Sequence, residues 1–256
     1  MIALLPMYDR PETKAANDAF WQAIRAALGR GPDHLTRDMD LWQAWRSPEL
    51  LLAQTCGLPY RARLYGDVEL VGTPDYGLPG CPEGHYNSVV VARADHSGIR
   101  LSKFGGSRFA YNDPLSQSGW AAAMMRMRSE DILPGELLET GSHRASAEAV
   151  ATGKADFACI DALTFQMLQS YEPDLIAQLC ELERTEPTPA LPFITALSED
   201  AAAILAAMQA ALATLATGPR EPLHLKKIMA MTPSDYLAIP TPPGPTLLMD
   251  RLARAR

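Results

Sequence analysis

The stretch FAYNDPLSQSGWAAAM, residues 109–124, places small and polar residues between a short apolar run and a segment of helical character. Ser116, Ser118 and Gly119 come at the start of this predicted helix, whose first backbone N–H groups have no partner within the helix. Such N–H groups suit an anion, so the stretch is compatible with a ligand site. It is equally compatible with an ordinary strand-to-helix turn in which a serine caps the helix.

Composition limits the classes of protein that this chain can represent. It has 256 residues, of which 47% are hydrophobic, and this is enough for one large domain or two lobes. The formal net charge of -7 disfavours nucleic acid as a partner, so a bound anion must be captured locally. The cysteines form no C-x-x-C pair, and Cys81 and His85 lack further metal ligands nearby, so we predict no metal and no cofactor.

The N-terminal residues MIALLPMYDRPE are typical of a first strand rather than of a secretory signal, because they contain no basic region and no long apolar run. As the sequence is written we therefore expect a cytoplasmic protein, and a periplasmic one if a signal has been removed. No stretch approaches the ~20 consecutive apolar residues of a membrane span, so we predict no membrane insertion.

Short strand-like runs alternate with amphipathic helical stretches, which favours an α/β architecture with a largely parallel sheet. Segments rich in Gly and Pro interrupt this alternation at residues 72–84 and 186–192. They predict two lobes, one made of residues 1–84 and 189–256 and the other of residues 85–188. A long Ala-rich helix is predicted over residues 201–216, bounded by Ser198 and Gly218.

Two further stretches repeat the arrangement of residues 109–124. They are ETGSHRASAEAVATGKADFACIDALTF at 139–165 and AQTCGLPYRARL at 53–64. In each, small or hydroxyl residues stand between a predicted strand or turn and a helix. In an α/β sheet such turns lie at the carboxyl ends of the strands, where ligands bind. We therefore expect ligand contacts from these turns.

The first two stretches together resemble a known family. Residues 116–119 (SQSG), 141–146 (GSHRAS) and 158–161 (ACID) are similar to motifs of the PhnD-like substrate-binding proteins of phosphonate, phosphite and phosphate ABC transporters. The resemblance implies the type II periplasmic-binding-protein fold, with two lobes of mixed, mostly parallel sheets flanked by helices and a ligand cleft between the lobes. It also implies a small phosphorus oxyanion as ligand, an ABC permease as candidate partner, and no enzymatic activity.

The resemblance assigns roles to the residues of the motif. The hydroxyls of Ser116 and Ser118, with the N–H groups of Ser118 and Gly119, would hold the oxyanion, and Gly119 would let it approach the backbone. Gln117 departs from the family, which usually has Thr there, and this either reshapes the anion site or indicates another ligand. His143 donates one hydrogen bond when neutral and two when charged, which would let it read the ligand's protonation state, unless it is only a cap or a surface residue.

Candidate ligand residues also occur outside the serine motif. Asp161 follows an apolar strand and would accept from a P–OH group or an amine of the ligand, or else cap the next helix. From the first lobe, Tyr8, Thr55 and Tyr60 are candidates to close over the ligand, with Tyr60 preferred. A core or surface position is the alternative for Tyr8.

Two other functions fit the same fold. One is a cytosolic enzyme of the type used in menaquinone or thiamine-precursor biosynthesis, and the other is a cytosolic ligand sensor. Against an enzyme, the sequence offers no paired carboxylates and no Cys–His or Ser–His nucleophile arrangement in the predicted site.

Overall fold

The structure, a computed structural model, describes the backbone of residues 1–254 and the side chains of residues 1–250. The chain forms two compact units. The first contains Met1–His85 and Thr188–Ile239, and the second contains Tyr86–Pro187 and the segment that begins at Pro240. The chain therefore passes between the units three times.

The division differs from the predicted lobes at the C-terminal end. The predicted boundaries after residues 84 and 188 lie within one residue of the first two crossings. The segment from Pro240 was predicted in the first lobe, but it groups with the second unit. The reason is a set of contacts that sequence patterns do not reveal: the Trp120 indole N–H donates to the carbonyl of Pro243 (3.1 Å), and Leu248 packs on the apolar core of the second unit.

The strands follow the predicted alternation closely. In chain order, those of the described residues are β1 (Ile2–Leu4), β2 (Leu50–Gln54), β3 (Val68–Asp75), β4 (His85–Tyr86), β5 (Ser88–Arg93), β6 (Arg108–Tyr111), β7 (Glu136–Glu139), β8 (Phe157–Asp161), β9 (Leu179–Arg184), β10 (Thr188–Pro189), β11 (Phe193–Ala196) and β12 (Lys227–Met229).

The α-helices, again in chain order, are α1 (Lys14–Leu28), α2 (Leu41–Trp45), α3 (Gly57–Pro59), α4 (Ala122–Ser129), α5 (His143–Ala151), α6 (Ala162–Tyr171), α7 (Pro173–Ile176), α8 (Ala201–Thr214), α9 (Thr217–Arg220), α10 (Pro233–Leu237) and α11 (Pro245–Arg254). Two π-helical turns adjoin them, Tyr60–Leu64 directly after α3 and Gln117–Ala121 directly before α4.

The sheet of the first unit has the strand order β1-β2-β11-β3-β12. β1 runs parallel to β2, whereas β11 runs antiparallel to both β2 and β3, and β12 runs antiparallel to β3. Helix α8 packs on β3 and on α1. The inner strands β2 and β11 are buried along their whole length, so this sheet forms the centre of the unit's core.

The sheet of the second unit has the order β7-β6-β8-β5-β9. β6 runs parallel to β7 and to β8, and β5 runs antiparallel to β8 and to β9. Phe109, Trp120 and Phe157 are at most 1% exposed in its core. Because β7, β6 and β8 are parallel neighbours, the turns that follow them emerge at the same edge of the sheet.

Both sheets are mixed, as predicted, but the alternation suggested more parallel pairs than the structure contains. The antiparallel neighbours in the second unit involve β5, and in the first unit most involve β11. Each of these strands begins shortly after the chain enters its unit. Strand–helix alternation fixes the direction of consecutive strands within a unit, but not that of a strand which arrives from outside it.

The Ala-rich helix is present, with different ends from those predicted. Asp200, rather than Ser198, caps α8, because its carboxylate accepts from the N–H of Ala203 (3.0 Å). The helix ends at Thr214, and its buried face includes Ile204 and Met208. No helix among the described residues is long and apolar enough to cross a membrane.

Candidate functional site

The turn after β6 is built from local hydrogen bonds of Asp113 and Ser116. The Asp113 carboxylate accepts from the N–H of Leu115 (2.6 Å), and its carbonyl accepts from the N–H of Ser116 (3.0 Å). Ser116 caps the following helix through its Oγ, which accepts from the N–H of Gly119 (2.9 Å). Its carbonyl accepts from the N–H of Ala121, five residues on (3.0 Å), which makes this first turn π-helical.

The π-helical turn brings two buried hydroxyls beside an imidazole. Ser116 is 5% exposed and Ser118 is 4% exposed, and their Oγ atoms are 3.4 Å apart. The Oγ of Ser118 lies 2.8 Å from Nε2 of His143. These three residues were predicted together from the sequence, and the structure places them in contact.

Burial lowers the pKa of His143 to about 4, so the ring is neutral at pH 7. A weaker, opposite effect comes from the backbone carbonyl of Cys159 on β8, which favours the charged ring. Nε2 faces Ser118, whereas the buried Nδ1 has no hydrogen-bond partner among the described residues. A neutral imidazole carries its hydrogen on one of the two nitrogens, and that choice sets whether Nε2 donates to Ser118 or accepts from it.

Backbone hydrogen bonds fix the position of His143 relative to the serines. The N–H of Thr140 donates to the carbonyl of Tyr111 (2.9 Å), and the N–H of Gly141 donates to that of Asn112 (3.0 Å). These bonds tie the turn after β7 to the turn after β6. Ser142 then caps α5, whose first residue is His143.

Ser146, the last residue of the GSHRAS motif, has a supporting role. It is fully buried, and its hydroxyl lies 2.6 Å from that of Thr140. The Thr140 hydroxyl also donates to the carbonyl of Tyr111 (3.0 Å). Ser146 therefore stabilises the turn that carries His143.

Gly119 is required by its protein neighbours. A Cβ atom at this position would lie 1.9 Å from Oδ1 of Asn112 and 3.1 Å from Cε1 of His143. Its N–H is already committed to Ser116. The prediction that the N–H of Gly119 is free for a ligand is therefore wrong, whereas the predicted close approach of a ligand to its backbone stays a prediction. Within the described chain, the N–H of Ser118 is left without a hydrogen bond.

Asn112 was not predicted as a site residue. Its Oδ1 is buried and has no hydrogen-bond partner among the described residues. It approaches the backbone of Gly119 closely and lies in the same turn as the serines. The available signal was its position directly after β6, at the head of the NDPLSQSGW stretch.

Gln117 and Asp161 are buried in the same unit, at 1% and 2% exposure. Asp161 ends β8 and caps α6, its Oδ1 accepting from the N–H of Thr164 (2.8 Å), so the capping role left open by the sequence is realised. β8 packs against the π-helical turn and against α5. Asp161 therefore ends its strand at the sheet edge from which the serine turn emerges.

The candidates from the first unit lie in different environments. Thr55 follows β2 and is fully buried; its N–H donates to the carbonyl of Pro192 (2.9 Å), and its Oγ1 has no hydrogen-bond partner in the described residues. Tyr8 is partly exposed in a 3-10 turn, and its ring packs edge-on against Tyr76 with 5.4 Å between centroids.

Tyr60, the preferred candidate of this unit, is a core side chain. It is 1% exposed, and its ring packs edge-on against Tyr236 (5.1 Å) and Tyr65 (6.4 Å). Burial raises the pKa of its hydroxyl to about 12. The apolar core of the first unit accounts for the ring, and a contact with ligand rests on the resemblance alone.

The sequence offered no indication of a Ser–His nucleophile arrangement, and the structure places the Ser118 hydroxyl beside the His143 imidazole. A hydroxyl within hydrogen-bond reach of an imidazole is the geometry of a nucleophile and its base. However, a histidine whose pKa is about 4 is a weak base at neutral pH. Its other nitrogen, Nδ1, has no hydrogen-bond partner among the described residues, so no carboxylate there orients the ring as a base. The pair is therefore suited to orienting the hydroxyl of Ser118. No group of three or more His, Cys, Asp or Glu side chains in the described part of the chain could hold a metal ion.

Two mixed α/β units, joined by repeated crossings of the chain, and a buried serine turn at a helix start define the class of two-lobed periplasmic binding proteins. The family model described as ABC transporter, phosphonate, periplasmic substrate-binding protein matches residues 2–236. The chain belongs to this family, whose members are substrate-binding proteins.

Solved structures have the same fold. PhnD1 from Prochlorococcus marinus in complex with methylphosphonate matches with a TM-score of 0.73 and 14% identity, over 99% of this chain and 97% of that one. A binding protein component of an ABC phosphonate transporter from Pseudomonas aeruginosa matches with a TM-score of 0.69 and 17% identity, over 99% of this chain and 95% of that one. A Xanthomonas citri protein bound to ATP matches with a TM-score of 0.69 and 15% identity, over 100% of this chain and 98% of that one. Comparison with curated proteins finds no match.

Proposed function

We propose that this protein is the substrate-binding component of an ABC transporter and captures a small phosphorus oxyanion, namely a phosphonate, phosphite or phosphate. The observation that carries the proposal is the buried turn of Ser116 and Ser118 at a helix start, with Ser118 bonded to His143. Membership of the phosphonate-binding family supports it. The methylphosphonate complex of PhnD1 supports the same class of ligand.

Neutral donors would carry most of the anion recognition. In the described chain, the hydrogen bonds of Ser116, Ser118 and His143 involve no lysine or arginine. Hydroxyls, the N–H of Ser118 and the helix dipole, which contributes roughly 0.3–1 kcal/mol at a helix start, would balance the charge. This mode of recognition suits a chain with a net charge of -7.

Two finer features belong to the same proposal. The family is described as periplasmic, so we place the protein's action in the periplasm, with an ABC permease as partner. Gln117, which stands where the family usually has Thr, would set the choice among oxyanions, because an amide both donates and accepts hydrogen bonds.

A thermal-unfolding screen tests the ligand class. Phosphate, phosphite, methylphosphonate, 2-aminoethylphosphonate, sulfate and small carboxylates would each be added to the purified protein. A ligand at 100 times its dissociation constant stabilises the folded state by about 2.7 kcal/mol, so a true ligand gives a clear shift. We expect shifts with phosphorus oxyanions. Shifts only with carboxylates would contradict the proposal and favour an enzyme on this fold.

A pair of serine variants tests the site itself. Ser118→Ala removes a hydroxyl from the buried turn, and we expect affinity for the best oxyanion to fall by about 10- to 100-fold. Ser170→Ala is the matched control, because Ser170 is exposed and its hydroxyl bonds only within its own helix. Equal affinity of the two variants in isothermal titration calorimetry would show that the site lies elsewhere.

A further inference from the structure

Asn87 carries a buried amide that the described chain does not pair. The residue is 5% exposed, its Oδ1 is buried, and its side chain makes no hydrogen bond among the described residues. Asn17, at 6% exposure, shows the usual arrangement, because its Nδ2 donates to Oδ1 of Asp9 (3.0 Å). Burying an amide without hydrogen bonds costs free energy, so Asn87 is suited to a partner from outside the described chain.

The position of Asn87 brings this amide to the sheet edge from which the serine turn emerges. Asn87 directly precedes β5, and its carbonyl accepts from the N–H of Ala162 (3.1 Å), the first residue of α6. Ser88, the next residue, pairs with Asp161, the last residue of β8. Because β5 runs antiparallel to β8, the start of β5 lies beside the end of β8.

The strand order sets the distance between Asn87 and the serine turn. In the second unit, β8 separates β6, which leads into the serine turn, from β5. Neighbouring strands lie about 4.8 Å apart, so the start of β5 is roughly 10 Å from the end of β6. A phosphoryl group held by Ser116 and Ser118 is too small to reach across this separation. A phosphonate with a two-carbon substituent covers it, since the hydrogen bond at each end adds about 2.8 Å.

The amide of Asn87 fits one terminal group of such a substituent best. Its Oδ1 accepts and its Nδ2 donates, so a hydroxyl, which does both, can bond to each atom. An ammonium group only donates, and it would face the donor Nδ2 as well as the acceptor Oδ1. The neighbouring carboxylate of Asp161 caps α6 through Oδ1 (2.8 Å), and the N-terminus of that helix offsets its negative charge. An alkyl chain that ends in a hydroxyl therefore matches Asn87.

We propose that Asn87 is a specificity-determining residue, which binds the substituent of the phosphorus oxyanion and selects one that ends in a hydroxyl. The ligand class is a hydroxyalkylphosphonate, such as 2-hydroxyethylphosphonate. This inference rests on the proposed function, because the serine turn must hold the phosphoryl group for the substituent to extend towards Asn87. Gln117 then acts on the phosphoryl end of the ligand and Asn87 on its substituent.

Three phosphonates that differ in one terminal group test this selection. Isothermal titration calorimetry with the wild-type protein measures the dissociation constants of 2-hydroxyethylphosphonate, propylphosphonate and 2-aminoethylphosphonate. We expect 2-hydroxyethylphosphonate to bind about 10- to 100-fold more tightly than propylphosphonate, whose methyl group leaves the amide unpaired. We expect it to bind about tenfold more tightly than 2-aminoethylphosphonate.

Substitution of Asn87 separates a ligand-binding amide from a structural one. Asn87→Leu keeps the approximate shape and removes both polar atoms, so the preference for 2-hydroxyethylphosphonate over propylphosphonate should disappear. Without ligand, this variant should unfold at a higher urea concentration than the wild type, because it buries no unpaired amide. Asn17→Leu is the matched control. It should keep the preference and unfold at a lower urea concentration, because it removes the bond to Asp9.

Asn87→Asp changes the chemistry of the side chain without changing its shape. A carboxylate only accepts, so it fits an ammonium group better than the amide does. We expect binding of 2-aminoethylphosphonate relative to 2-hydroxyethylphosphonate to improve by about tenfold or more over the wild type. This ratio is independent of any general weakening that the added negative charge causes for the phosphoryl group.

The outcomes distinguish this inference from the function beneath it. If the wild-type protein binds no phosphorus oxyanion, phosphate and methylphosphonate included, the proposed function fails. If 2-hydroxyethylphosphonate has no advantage over the other two phosphonates, or if Asn87→Leu retains that advantage, the function stands and the role of Asn87 is refuted. If Asn87→Leu unfolds, the wild-type ratios and Asn87→Asp still decide the question.

Discussion

Two turns of this molecule share a π-helical backbone but bury side chains of different chemistry. In the first unit, β2 leads through α3 into the π-helical turn Tyr60–Leu64, and in the second, β6 leads into the π-helical turn Gln117–Ala121. Cys56 precedes the first helix without a side-chain cap, whereas Ser116 caps the second. The first turn buries an aromatic ring in an apolar core, and the second buries hydroxyls beside an imidazole.

The difference shows that the backbone conformation alone does not make a site. Both turns bury side chains, but a buried polar group costs free energy unless a hydrogen bond satisfies it. In the second unit, Ser116 and Ser118 find Gly119 and His143 as partners. In the first unit, the buried hydroxyl of Thr55 has no hydrogen-bond partner in the described part of the chain, and the Tyr60 ring packs in the apolar core.

The largest expected effect is on the first turn. Tyr60→Ala should lower the free energy of unfolding by about 3–5 kcal/mol, because it leaves a cavity among Tyr65, Tyr236 and the aliphatic core. Urea unfolding followed by circular dichroism measures it. Tyr60→Phe keeps the ring, and we expect its affinity for methylphosphonate to be unchanged. A loss of affinity as large as that of Ser118→Ala would place the Tyr60 hydroxyl at the ligand.

The next largest effect is a dependence of the unfolding free energy on pH, which arises from His143 beside the second turn. His143 binds a proton less readily when folded, so the unfolded state takes up more protons as the pH falls from 6.5 towards 4. The change in pKa from 6.5 to about 4 corresponds to about 3 kcal/mol of stability, fully present above pH 6.5 and lost on acidification. Unfolding of the wild-type protein and His143→Gln across this range measures it. Identical pH profiles would show that the ring is not buried.

A smaller effect is expected at Gly119. Gly119→Ala should cost about 1–3 kcal/mol of stability, because the new methyl group collides with the Asn112 amide. Gly105→Ala is the control, since nothing lies within 4 Å of a Cβ atom there and its φ is negative. If the collision with Asn112 is the cause, adding Asn112→Ala should recover part of the loss in a double-mutant cycle. Strictly additive losses would contradict this explanation.

The smallest effect is expected at Thr55. Thr55→Val removes a buried hydroxyl that has no partner in the described chain, so we expect a gain of about 1 kcal/mol in unfolding free energy. Thr195→Val provides the opposite case, because the buried hydroxyl of Thr195 donates to the carbonyl of Leu51 (2.8 Å). Its removal should therefore lower the unfolding free energy. The resemblance also predicts a ligand contact for Thr55, and weaker methylphosphonate binding by Thr55→Val would support it.

Local features of the site were readable from the sequence because their causes span only a few residues. The caps at Ser116, Ser142 and Asp161 each accept from an N–H three residues on, so the hydroxyl or carboxylate and its partner lie in one short stretch. The order of strands and helices follows from hydrophobic periodicity in the same way. The sequence alone did not decide where α8 begins, because Ser198 and Asp200 are both competent N-caps.

Features that depend on distant parts of the chain could not be read in this way. The bond from Ser118 to His143 joins residues 25 apart, and it forms because β6 and β7 are parallel neighbours. The burial of Tyr60 depends on Tyr236, and the place of the C-terminal segment depends on Trp120. Sequence periodicity indicates which side chains are buried, but the order of strands in a sheet decides which buried side chains meet. For this protein, periodicity predicted the order of strands and helices and the hydroxyl turn, whereas the order of strands in the sheet brought His143 beside Ser118.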